Sequence, residues 1–120
     1  MSIGDSPIRI GATERATGQV KFGVDLGEAG DLFLVCVRVD TAPARIESID
    51  VEQAVAVPGV VRIFTAADVP GTNRLGIIRS HRDHEFLAET MIRHRGQAVA
   101  LVAADTEQAA RKAAQVGVPT

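Results

Sequence analysis

"AVPGVVRIFTAADVPGTNRLG", residues 56–76, decides how this chain is read. Two Pro-Gly pairs, Pro58-Gly59 and Pro70-Gly71, bracket the apolar run "VVRIFT". Proline lacks a backbone donor and glycine accepts positive φ, so the first pair stops a helix and the second opens a loop. Between them a strand is predicted over 60–65, followed by a single turn at Ala66-Ala67-Asp68. Gly71 and Gly76 then repeat the spacing of the first part of the phosphate-binding motif G-x-x-x-x-G-K-[ST]. That motif needs a lysine for the outer phosphates and a hydroxyl for magnesium, and here Ile77 and Ile78 stand at those positions. The loop is therefore read as a turn with a polar tip.

Upstream of this stretch, residues 1–18 are polar, with Gly4, Pro7, Gly11 and Gly18, and are expected to form an extended arm. The remainder, 19–120, is expected to form a single domain. Val20, Phe22, Val24 and Leu26 alternate with polar residues and glycine at the period of a half-buried strand. "LFLVCVRV", residues 32–39, is apolar on both alternating sets until Arg38, which predicts a strand covered on both faces and a buried thiol at Cys36. The path bends at Pro43, and "ARIESID" resumes as a more polar strand. Asp50 with Gln53 has capping-box spacing and predicts a short helix over about 50–57.

Downstream, residues 77–95 carry scattered apolar positions and many charges, and no element stands out. "QAVALVAA", 97–104, is a buried strand. Asp105 with Gln108 repeats the capping spacing and opens a helix over 106–116, whose face of Ala109, Ala110, Ala113 and Ala114 allows close packing on a sheet. Strands and helices mix without strict alternation, so the fold class is α+β, a mixed β-sheet with two main helices.

Composition narrows the function. Apolar residues make up 46% of the chain, yet four Phe are its whole aromatic complement, so the core must be built from Val, Ile, Leu and Ala. Thirteen basic against fifteen acidic residues leave a formal charge of −2, without the basic footprint that nucleic acid requires. Cys36 is the single cysteine and has no intrachain disulfide partner. The N-terminus lacks a secretory signal, and no apolar run approaches the ~20 residues that cross a bilayer. A cytoplasmic location is the expectation.

Candidate chemistry is sparse. His81-Arg82-Asp83-His84-Glu85 collects residue types that ligate metals, but its spacing matches no defined zinc pattern, and Arg82 repels a cation. A solvated loop is the preferred reading, with a site at His81, Asp83 and His84 as the lesser one. His94 lies between Arg93 and Arg95 without an orienting carboxylate in sequence, which reads as an exposed face rather than a general base. Ser48, Ser80 and Cys36 sit in no nucleophile motif, and no dinucleotide fingerprint follows a strand. No catalytic, cofactor-binding or metal-binding residue is assigned.

The ordered segments nevertheless carry a resemblance. "IGDSPIRIGATERATGQVKFGVDL" (3–26), "ARIESID", the opening stretch, "FLAE" and "RGQAVALVAADTEQAARKAA" together resemble the molybdenum-binding subunit of the xanthine dehydrogenase and aldehyde oxidase family. The likeness covers residues 3 to about 116. It implies the N-terminal α/β hammerhead domain of that subunit, from a longer or split subunit. It also implies a parent oxidoreductase that hydroxylates purines, aldehydes or N-heterocycles with oxygen from water. Molybdenum-pterin, [2Fe-2S] clusters and often FAD belong to that parent complex, whose catalytic glutamate and molybdenum pocket lie downstream of any position here. The implied partners are the remaining molybdenum-binding domains and the iron-sulfur and flavin subunits.

Three departures stand out. Val39-Asp40 replaces a common serine-proline pair, and His94 replaces a commonly aromatic position. "VGVPT", 116–120, stands where the family continues into a further strand, which is expected to leave a sheet edge open to self-association. The competing reading is an independent small-ligand or protein-binding module that keeps the fold without the enzyme.

Overall fold

The computed structural model describes residues 3–117, which divide into two compact units, one ending at Asp31 and the other beginning at Leu32. Residues 118–120, the end of "VGVPT", lie outside the described residues. In chain order the helices are α1 (Ala12–Ala16), α2 (Glu52–Val55) and α3 (Glu107–Val116). The strands are β1 (Phe33–Val39), β2 (Ala44–Arg45), β3 (Val60–Thr65), β4 (Arg74–Leu75), β5 (His84–Glu85), β6 (Met91–Ile92) and β7 (Gln97–Ala104).

The first unit departs from its expected shape. The arm is not extended throughout, because α1 forms within it, opened by Gly11 at φ 76°. No strand forms over 19–26. Gln19 and Val20 instead both donate from the backbone to the Glu14 carbonyl, folding the chain back onto the end of α1. The Asp25 carboxylate accepts from the Phe22 N–H at 3.0 Å and closes a 3₁₀ turn over Gly23–Asp25. Local capping consumes the groups that a ladder would use, and Val24 remains 92% exposed.

The second unit is built on a three-stranded sheet ordered β1-β7-β3, and every described ladder is antiparallel where a mixed sheet was expected. The α+β class stands. β7 and β3 form over the residues the pattern predicts. Register sets the two faces: Val35, Val102 and Ile63 form one row across the sheet, and Cys36, Leu101 and Phe64 form the next row on the opposite side. An extra residue in β7 opposite Val37/Arg38 makes a bulge, which lets the neighbouring Val99 and Ala100 both enter the core.

Helix α3 covers the first face. Thr106, one residue later than the predicted cap, accepts from the Ala109 N–H through its hydroxyl at 3.2 Å. Ala110 and Ala113 are fully buried, as the small-residue face predicts, and pack with Val37, Val99, Ala100, Val102 and Ala104. α2 is shorter than expected. The Asp50 carboxylate accepts from the Glu52 N–H, two residues on, so the Asp50–Gln53 box does not form and only Glu52–Val55 is helical.

β1 corrects a second expectation. Val37 and Val39 are buried, but Leu34 is 62% exposed and Cys36 is an exposed free thiol. The strand is covered on one face only, because α3, and α2 at the β3 side, both pack into the same core against that face of the sheet.

A larger side chain at the helix–sheet contact has nowhere to go. Ala113→Leu is expected to destabilise the chain by about 1–3 kcal/mol through overpacking, read as a lower urea midpoint at unchanged m-value. An unchanged midpoint contradicts this packing.

Candidate functional site

The loop at residues 71–76 ties down a neighbouring segment rather than presenting a phosphate cradle. Gly71 turns the chain at φ 97°, and the Asn73 side chain then grips both backbone groups of one residue, Leu87. Its Nδ2 donates to the Leu87 carbonyl at 2.7 Å, and its Oδ1 accepts from the Leu87 N–H at 3.0 Å. The Phe86 N–H donates to the Asn73 carbonyl, so this amide extends the β4–β5 ribbon by one more pair. Gly76 is needed for close approach: a Cβ there would lie 2.7 Å from the His81 carbonyl oxygen. The polar tip expected from sequence is therefore partly the first strand of a ribbon.

Within that ribbon Glu85 is buried, 4.0 Å from the Arg74 guanidinium, and its Oε2 accepts from the Glu89 N–H. The other candidate residues do not gather. His81 Nδ1 lies 3.0 Å from the Ser80 hydroxyl, and the His84 ring stacks on His94 with centroids 6.0 Å apart. His94 Nδ1 is also 3.1 Å from the Arg95 carbonyl. Among the described residues no group of three His, Cys, Asp or Glu side chains converges as a metal site, and His81, Asp83 and His84 are not brought together as one. Ser48 lies in a cleft of about 390 Å³ beside Thr41, Arg45 and Asp50, with no histidine in its lining.

The other concavity lies on the uncovered side of the sheet. It is a shallow groove of about 300 Å³ lined by Leu34, Phe64, Val69, Pro70, Phe86 and Leu101, with Leu87 also in its wall. Asp68 fixes its rim. The carboxylate accepts from the Thr65 N–H at 2.9 Å and from Arg62 at 3.0 Å, closing the turn over Ala66–Asp68. These bonds hold the Asp68 carboxyl below its ordinary value of 3.8, the Thr65 backbone bond first and the Arg62 bond next. The Arg62 guanidinium also lies 4.9 Å from the Phe64 ring centroid. The turn at Ala66-Ala67-Asp68 is the one expected from sequence, whereas the Asp68 bonds to Thr65 and Arg62 are not foreseen there, although T-x-x-D over Thr65–Asp68 has the spacing of a cap.

Comparison with known proteins matches residues 17–118 to the model of the aldehyde oxidase and xanthine dehydrogenase a/b hammerhead domain. Aldehyde oxidase 4 of Cavia porcellus is 44% identical over 103 residues, covering 85% of this chain and 7% of that protein. The aldehyde oxidoreductase of Megalodesulfovibrio gigas is 36% identical over 114 residues, covering 87% of this chain and 13% of its own length. Among solved structures, the aldehyde oxidoreductase of Desulfovibrio desulfuricans superposes with a TM-score of 0.86 at 31% identity, over 94% of this chain and 14% of that one. CO dehydrogenase of Oligotropha carboxidovorans superposes at 0.77 and 28% identity, again over 94% and 14%. This chain thus spans between 7% and 14% of the length of these relatives.

Two measurements check the geometry. Asn73→Ala leaves the Leu87 N–H and carbonyl without their side-chain partner and is expected to cost about 1–3 kcal/mol in chemical denaturation. A loss too small to measure contradicts the paired amide. Asp68 contributes stability above its unfolded pKa, and that contribution fades as pH falls through the lower folded value. Its carboxyl resonance is therefore expected to titrate with a midpoint below 3.8, and a midpoint at or above that contradicts the Thr65 and Arg62 bonds.

Proposed function

This chain belongs to the aldehyde oxidase and xanthine dehydrogenase family, and from that premise we propose that it is a structural domain of a molybdenum hydroxylase. Its role is to pack against the molybdenum-cofactor domains and shape their approach to the iron-sulfur and flavin partners, while turnover takes place elsewhere. The observation that carries this reading is the hammerhead match over residues 17–118, which spans only a small part of each enzyme it resembles. The match begins close to residue 19, which supports a domain at 19–120 preceded by the 1–18 arm.

Molybdenum-pterin, [2Fe-2S] clusters and FAD are assigned to the parent complex. Among the described residues no side-chain set converges to ligate a metal, so no residue here is given a role in holding these groups. The reaction class proposed for the parent is hydroxylation with oxygen from water. No helix of the described residues is long and apolar enough to cross a membrane. A cytoplasmic location remains part of this proposal.

The sheet also supports self-association. β7 pairs on both sides, so β1 and β3 each leave one edge without a ladder partner among the described residues. Edge pairing between copies at high concentration is the expected consequence.

The purified 120-residue chain is expected to hold no stoichiometric molybdenum and to oxidise neither aldehydes nor xanthine. It should co-purify with the molybdenum-binding remainder when the two are produced together, and sediment above the monomer at high concentration. Substrate oxidation by the chain alone overturns the structural role. Failure to associate with the remainder favours an independent binding module.

A further inference from the structure

The side of the β1-β7-β3 sheet opposite α3 has the composition of a covered surface. Antiparallel sheets with one wet face alternate apolar and polar residues, and the wet set is polar. Here the outward set reads Leu34 and Cys36 on β1, Leu101 and Ala103 on β7, and Phe64 on β3. Arg38 and Arg62 are the charged outward residues on these strands, and both are already engaged. Arg38 donates to the Gly96 carbonyl at 2.7 Å, and Arg62 pairs with Asp68 while lying over Phe64. Covering this face therefore leaves neither cation without a partner.

Phe86 and Leu87 extend the same surface past the sheet. Leu87 is held by Asn73 and is buried, whereas Phe86 is 46% exposed and Leu34 62%. The groove between them has about 300 Å³ and is almost wholly apolar. Contiguous apolar patches of this kind mark interaction surfaces, and buried anchors in such pockets dominate interface energy.

Resting on the reading above, we propose that this face is the docking surface for an apolar segment of the molybdenum-binding remainder. One large aliphatic or aromatic side chain of that segment occupies the groove between Phe64, Phe86 and Leu101. The choice of occupant follows from length and from topology. The solved relatives are about seven times longer than the region this chain covers, since that region is 14% of theirs. The other side of the sheet is already taken by α3.

Cys36 sits in the middle of this face and is the chain's single thiol, so it reports directly on coverage. Iodoacetamide labelling is followed by peptide mass for the dilute chain alone and for its assembly with the remainder. Labelling is expected to slow by about tenfold or more on assembly, because access governs thiol reactivity. Leu34→Glu and Phe64→Glu are expected to weaken assembly, while Val61→Glu, on the bulge of the outer strand β3, leaves it unchanged. Circular dichroism melting confirms that each variant is folded.

Assembly with Cys36 still labelled at the free rate overturns this inference and leaves the structural role intact. No assembly at all overturns both. Slow labelling that depends on the concentration of the chain alone assigns the face to a second copy, and slow labelling at every dilution assigns it to these 120 residues. Either result contradicts the proposed occupant.

Discussion

Helix α3 lies against the central strand β7 through alanines on both sides, Ala100 and Ala104 from the strand and Ala110 and Ala113 from the helix. These side chains are at most 2% exposed, and their small size brings helix and sheet close enough to exclude water. Both ends of the helix are pinned by the same economy of volume. The Asp105 N–H donates to the Gly59 carbonyl, and a Cβ at Gly117 would lie 3.1 Å from Ala54. Val37, Val99 and Val102 fill the space around this contact, so the core needs no aromatic residue. All four Phe lie outside the core cluster, and Phe64 and Phe86 line the groove on the opposite side.

That arrangement leaves the second unit asymmetric. One face of its sheet is closed by a helix of this chain, and the other is apolar and open. A folded core and an open face coexist because the core takes its buried side chains from β7, α3 and the inward row of β1, with Ala54, Val57, Ala88 and Ile92 closing it and Val60 and Ile63 of β3 packed against it. Leu34, Cys36 and Phe64 stand outside it, on the open face. The Thr65–Asp68 turn and the Asn73–Leu87 amide pair position the rim of the open face without crossing the core.

The elements legible in sequence are those whose signals come from the core itself. β3 and β7 were readable as short apolar runs bounded by turn residues, and α3 because its alanine face recurs at helical spacing where Ala110 and Ala113 are buried. Residues 19–26 misled because alternation alone does not distinguish a strand from a turn whose backbone is satisfied by Glu14 and Asp25. β1 misled in the opposite sense. Both of its alternating sets are apolar, but within this chain only the Val35, Val37 and Val39 set faces the core. The groove was invisible because Phe64, Phe86 and Leu101 are separated in sequence and meet only through strand register and the Asn73 amide. The Gly71 and Gly76 pair, read as a turn because Ile77 and Ile78 replace the lysine and hydroxyl of a phosphate loop, does turn the chain at Gly71, while Gly76 admits the His81 carbonyl.

Hydrogen exchange followed by mass spectrometry, on the chain alone and assembled with the molybdenum-binding remainder, tests this division most directly. The account predicts that β7 and α3 exchange slowest in the chain alone and change little on assembly. New protection should fall on β1, β3 and residues 64–70. Protection that instead appears on the outer surface of α3, around Glu107 and Arg111, would place the interface on the wrong side of the sheet and contradict the account.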